Sequence, residues 1–157
     1  MQKNPINLTK VLKAMADFEH AAAELYGMCG QTWEADKEFW ADMERAEIKH
    51  AENIIRMSEI VSLKPEGCQS GHTFKPEAIW TSISGIQWNI ERLVKKEITE
   101  KNMLFIARDV EQSMLESKYG DAVKSNDPEY QSLLKEIISD TVAHRERLNN
   151  KIREISS

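Results

Sequence analysis

Five residues spread along the chain combine side-chain types and positions that suit metal chemistry: Glu19, Glu47, His50, Glu111 and His144. Each falls on the apolar side of an amphipathic segment when the sequence is drawn as a helix turning about 100° per residue. In "DMERAEIKHAENIIRM" (42–57), Glu47 shares a face with Trp40, Met43, Ala51, Ile54 and Val61, and His50 lies beside it, whereas Arg45, Lys49 and Glu52 point outward. Glu19 sits among Leu8, Leu12, Met15, Ala22, Ala23 and Tyr26, with Glu24 turned away. Glu111 shares its face with Leu104, Ala107, Met114, Leu115 and Ala122, with Glu116 outward; His144 shares one with Leu133, Ile137, Leu148 and Ile155. A buried, unpaired carboxylate is costly, and several together also repel. Relief comes from protonation, hydrogen bonding or a cation. A mixed carboxylate and imidazole donor set suits iron, manganese or zinc. One inward glutamate is more often a hydrogen-bonded core residue; inward ionisable groups on all four segments favour a metal site over that reading.

The elements that must position these residues are four long helices. The first is expected over about Asn7–Gly30, capped by Asn7 or Thr9 and stopped by glycine. Thr32 is the expected cap of a second, running to about Ser62. "LKPEGCQSGHTFKP" is the breaker-rich stretch, followed by the moderately helical "EAIWTSISGIQWNIERLVKKE". Thr99 opens a third helix, "EKNMLFIARDVEQSMLESKYGDAVK". In "SNDPEY", Asp127 suits the N-cap, Pro128 the first helical position and Glu129 the helix dipole of a fourth helix that runs almost to the C-terminus. Short links pair helices one with two and three with four. The long link between two and three can travel back along the bundle. The expectation is an all-α, single-domain chain (1–157): a four-helix bundle with one long helical crossover, the connectivity of ferritin-like folds. Glu19 and Tyr26 in the first helix are echoed by Glu111 and Tyr119 in the third, a faint sign of a duplicated helix pair.

Composition narrows the partners. Six Gly and four Pro among 30% charged residues favour helices. A net charge of −5 argues against nucleic acid or an anionic membrane as the main partner. No apolar run approaches the roughly 18 residues of a membrane span, and the polar N-terminus shows no signal peptide, so a cytoplasmic location is expected. Cys29 and Cys68 form neither a disulfide scaffold nor a metal motif; reduced thiols are expected, although a bridge between them is conceivable.

Four stretches, "FEHAAAELY" (18–26), "ERAEIKHAENI" (44–54), "DVEQSMLESKY" (109–119) and "SDTVAHRERL" (139–148), resemble the four helices of the rubrerythrin branch of ferritin-like di-iron proteins. That fold takes one Glu from each of two helices and Glu-x-x-His from each of the other two. The resemblance implies Glu19 and Glu111 as single carboxylates, Glu47 as a bridge with His50 as its partner, and His144 as the second histidine. It implies one or two iron ions, chemistry on iron, oxygen or peroxide, and a homo-oligomer. At Thr141 the pattern fails, because a bridging Glu belongs there; Asp140, one residue earlier, is the candidate sixth member. Such proteins often carry a four-cysteine rubredoxin module. This chain has no Cys-x-x-Cys, so turnover requires an external electron donor. The competing expectation is a bundle with a degenerate metal site that serves as an interaction module.

The other suggestive residues have plainer readings. His20 lies about 100° off the stripe and reads as a surface or groove histidine, and His72 as a solvated residue of the crossover. Met15, Met43, Met57, Met103 and Met114 read as core filler. Trp33, Trp40, Trp80 and Trp88 read as anchors of helix ends and of the crossover, and "RERLNNKIRE" as a solvated face.

Overall fold

The structure, a computed structural model, describes residues 5–70, 76–116 and 123–156. Five α-helices account for nearly all of it: α1 (Pro5–Thr32), α2 (Lys37–Leu63), α3 (Pro76–Val94), α4 (Glu100–Glu116) and α5 (Pro128–Ser156). Two short strands, β1 (Cys68–Ser70) and β2 (Val123–Ser125), pair antiparallel with Cys68 opposite Ser125. The architecture is therefore all-α with one small ladder. α1 packs along α2 and α3, α2 also meets α5, and α5 packs on α4. Among its described residues, the crossover between α2 and α4 carries β1 and then α3, and α3 lies on α1.

The helix ends follow side-chain chemistry in two places where the sequence signalled it. Thr99 Oγ1 accepts the Asn102 amide at 3.2 Å, and Asp127 Oδ1 accepts the Tyr130 amide at 3.0 Å, so both cap the helices that follow them. Thr32 does not. It is the last residue of α1, its hydroxyl donates to the Met28 carbonyl at 2.8 Å, and a 3-10 turn at Glu34–Asp36 precedes α2. Gly30 does not stop α1 either, because a glycine ends a helix only when it adopts the left-handed conformation, and no glycine among the described residues has a positive φ. That conformation falls instead on Lys96 (φ 58°), where Glu97 and Lys96 amides bond back to the Arg92 and Leu93 carbonyls and close α3. The third long helix is shorter than expected. α4 ends at Glu116, and Val123–Ser125, expected to be helical, form β2. Ala122, Tyr119 and His72 lie outside the described residues.

One contiguous core runs through the molecule, with Leu12, Met15, Tyr26, Trp40, Met43, Ile54, Met57, Leu104, Ile137 and Leu148 at its heart. Each such side chain contributes about 1.5–3 kcal/mol relative to exposure, and together they hold the neighbouring polar residues out of water. All five core methionines of the sequence reading are buried. Ile155 is not in the core: it is 39% exposed, and Ile152, one turn earlier, is the buried residue. Cys29 and Cys68 are both buried and free. No helix among the described residues is long and apolar enough to cross a membrane.

Candidate metal centre

Glu19 on α1, Glu47 and His50 on α2, Glu111 on α4 and His144 on α5 all face the same interior volume. The first four are fully buried, and His144 is 6% exposed. They form two groups that share Glu47. Glu19, Glu47 and His50 each offer a ligand atom within 4.8 Å of the other two, as do Glu47, Glu111 and His144. The sharing follows from the i, i+3 spacing of Glu47 and His50 on α2 and from the pressing of α2 between α1 and α5, which brings both neighbours to one carboxylate.

The contacts within the cluster are close. His50 Nδ1 lies 3.4 Å from Glu47 Oε2 and 3.8 Å from Glu19 Oε2. His144 turns Nδ1 toward Glu47 Oε1 at 3.2 Å and Glu111 Oε1 at 3.6 Å. The Tyr26 hydroxyl donates to Glu111 Oε1 at 2.9 Å. Oε2 of Glu47, Oε2 of Glu111 and Nδ1 of His50 are buried without a hydrogen-bond partner. Buried polar atoms are seldom left so, and these are three strong donors for a divalent cation.

Asp140 does not join either group. It sits behind His50, half-exposed, with Oδ2 3.0 Å from Nε2. Where Asp140 accepts this hydrogen bond, Nε2 carries the proton and Nδ1 is left with its lone pair toward the cluster. A carboxylate that orients a histidine from outside in this way is the usual companion of a metal-bound imidazole. Thr141 is buried, and its hydroxyl donates to the Ile137 carbonyl at 2.7 Å. It adds no carboxylate, so the cluster holds three.

Electrostatics reflect the crowding. Burial, followed by the charges of Glu111 and Glu19, pushes the Glu47 carboxyl well above the usual carboxylate range. Burial and then Glu111 and Glu47 push the Tyr26 phenol well above its ordinary value. His50 is raised as well: burial pulls it down, but Glu19 and Asp140 together outweigh that. A divalent ion among these groups would reverse the cost that raises Glu47.

No protein-family model, curated protein or solved structure matches this chain. The functional reading therefore rests on the site.

The sequence reading overlooked two parts of it. Tyr26 counted as an apolar neighbour of Glu19 and as one member of the echo between the first and third helices, although its place seven residues on, two helical turns along the same face, was a signal that its hydroxyl could enter the cluster. The Lys49 and Asn53 side chains reach Glu136, at 2.6 and 3.2 Å, and pin α2 to α5 beside His50. Nothing in sequence spacing marked that contact between helices. His20 is exposed, as expected.

Proposed function

We propose that this chain is a non-haem metal protein of the rubrerythrin-like, ferritin-like kind, holding iron at Glu19, Glu47, His50, Glu111 and His144. One observation carries the reading: two buried carboxylate–imidazole groups share Glu47. Glu47 spans both groups, Glu19 and His50 complete one, and Glu111 and His144 complete the other. Asp140 fixes the proton of His50 on the outer nitrogen. Tyr26 holds Glu111 in place and keeps a proton at its Oε1. The surrounding Met, Leu and Ile side chains exclude water. Iron held there would supply one-electron chemistry toward oxygen or peroxide, with an external donor as the reductant. Manganese and zinc suit the same donor types. Three carboxylates, with Thr141 where a fourth would bridge, are the donors available to one or two ions.

The test is metal analysis of protein purified without chelator, combined with thermal melts in ferrous iron, manganese and zinc. Metal raises the melting temperature, because a ligand that binds only the folded state stabilises it. Glu47→Ala abolishes the rise, whereas Glu52→Ala, on the exposed face of α2, leaves it intact. If none of the three metals moves the wild-type melting temperature, the metal reading is wrong and the buried cluster belongs to an interaction module.

A further inference from the structure

Three aromatic rings lead from the metal cluster to the turn between α1 and α2. Tyr26 lies within hydrogen-bond reach of Glu111. Its ring centre is 5.9 Å from that of Trp40, and Trp40 is 6.4 Å from Trp33. Tyr26 and Trp40 are fully buried; Trp33 is half-buried at the end of α1. These are the two residue types whose side chains give up one electron most readily among the aromatics. Each buried member has its acidic hydrogen on a carboxylate: the Tyr26 hydroxyl donates to Glu111 Oε1 at 2.9 Å, and Trp40 Nε1 donates to Glu100 Oε2 at 3.3 Å. A structural tyrosine or tryptophan needs only some acceptor for its hydrogen. Here both acceptors are carboxylates, on two neighbouring rings between the cluster and the α1–α2 turn.

We propose that Trp33, Trp40 and Tyr26 form an electron relay between the metal centre and a one-electron donor docked at the α1–α2 turn. The inference rests on the metal reading above. Hydrogen peroxide is the oxidant, and a donor of the iron–sulfur or flavin class is the reductant. When the centre has been oxidised, Tyr26 gives it one electron and passes its hydroxyl proton to Glu111, leaving a neutral phenoxyl radical. Trp40 then gives an electron to Tyr26, whose O–H bond re-forms with the proton held by Glu111. The Trp40 N–H proton passes to Glu100. Trp33 gives an electron to Trp40, the N–H bond re-forms from Glu100, and the external donor restores Trp33. One electron has crossed and each shuttled proton has returned. Two passages and two protons from water convert one peroxide to two waters. Phe39, edge-on to Trp40 at 5.1 Å, takes no part, because a phenyl ring is far harder to oxidise.

The relay is tested first without metal. Azide radicals generated by pulse radiolysis oxidise indoles selectively. In the wild type, the indolyl absorption should decay as a phenoxyl absorption grows, at a rate independent of protein concentration. Tyr26→Phe should remove that growth, and Trp40→Phe should slow it at least tenfold. Circular dichroism checks that both variants are folded, and Trp33→Phe, at a half-buried site, gives a third variant with little packing cost. Iron-loaded protein follows. With peroxide and no reductant, the wild type should show a transient organic radical by electron paramagnetic resonance that Tyr26→Phe lacks. In Trp40→Phe the tyrosyl signal should persist longer, with iron content unchanged. A phenoxyl signal that survives Tyr26→Phe, or transfer equally fast in Trp40→Phe, overturns the relay. A protein that binds no iron overturns the metal reading, and that outcome is read separately from metal content.

Discussion

Replacing Glu47 by glutamine should move the apo and the metal-bound protein in opposite directions. Glutamine keeps the shape of the side chain and removes its charge. In the folded apo protein the Glu47 carboxyl is raised above its ordinary value of 4.5 by burial and by Glu111 and Glu19. The folded state therefore holds a proton that the unfolded chain releases above about pH 4.5. Stability present below that pH declines as pH rises toward the folded value, by up to about 1.4 kcal/mol per pH unit for one proton. For a chain of 157 residues, 1 kcal/mol is about 2–4 °C of melting temperature. Apo Glu47→Gln lacks this penalty, so at neutral pH it should melt above apo wild type, with a gap that widens with pH by up to roughly 3–6 °C per unit. Metal reverses the order. At a free metal concentration of 100 Kd, the wild type gains about 2.7 kcal/mol, or about 5–11 °C. The variant, without the carboxylate common to both groups, gains almost nothing. Differential scanning fluorimetry between pH 5 and 8, with and without ferrous or manganous ion under anaerobic conditions, reads both effects. The reasoning is refuted if metal stabilises Glu47→Gln as much as wild type, or if the two apo proteins show the same pH dependence.

Asp140→Asn removes the anion that holds the His50 proton on Nε2, and should weaken metal binding about 10–100-fold, measured by competition with a chromophoric chelator; unchanged affinity would show that His50 needs no such partner. Thr141→Glu places a fourth carboxylate in the cluster and should raise metal stoichiometry toward two or tighten binding, while lowering the melting temperature of the apo protein; mass spectrometry under native conditions counts the ions. Asp127→Ala removes the cap of α5 and the ion pair with Lys64, 2.8 Å away, and should lower the melting temperature by a few degrees. The Asp127 carboxyl is held below its ordinary value by Lys64 first and then by the Tyr130 amide. The wild-type advantage is therefore present at neutral pH and fades as acid protonates Asp127, which melts at falling pH will show.

Helical periodicity was enough to turn Glu19, Glu47, Glu111 and His144 inward, because a residue's direction around a helix depends only on its offset from its neighbours. The same local logic placed the caps at Thr99 and Asp127, where a side chain bonds an amide three residues away. It failed where an end depends on backbone conformation or a distant partner: Lys96 takes the left-handed position without being glycine, and Val123–Ser125 are extended because they meet Cys68–Ser70 from another part of the chain. The sequence could show that four segments each bury an ionisable group. It could not show that Glu47 is common to two groups, since that depends on how α2 is set between α1 and α5. Nor could it decide the role of Asp140. One residue before Thr141, it was the candidate sixth member, but the packing of α5 on α2 sends its carboxylate to the outer nitrogen of His50. Tyr26 shows the same division. Its apolar ring and its place on the inward face were legible locally. That its hydroxyl finds Glu111 and its ring finds Trp40 was decided only by bringing three helices together, because such contacts join residues with no fixed separation along the chain.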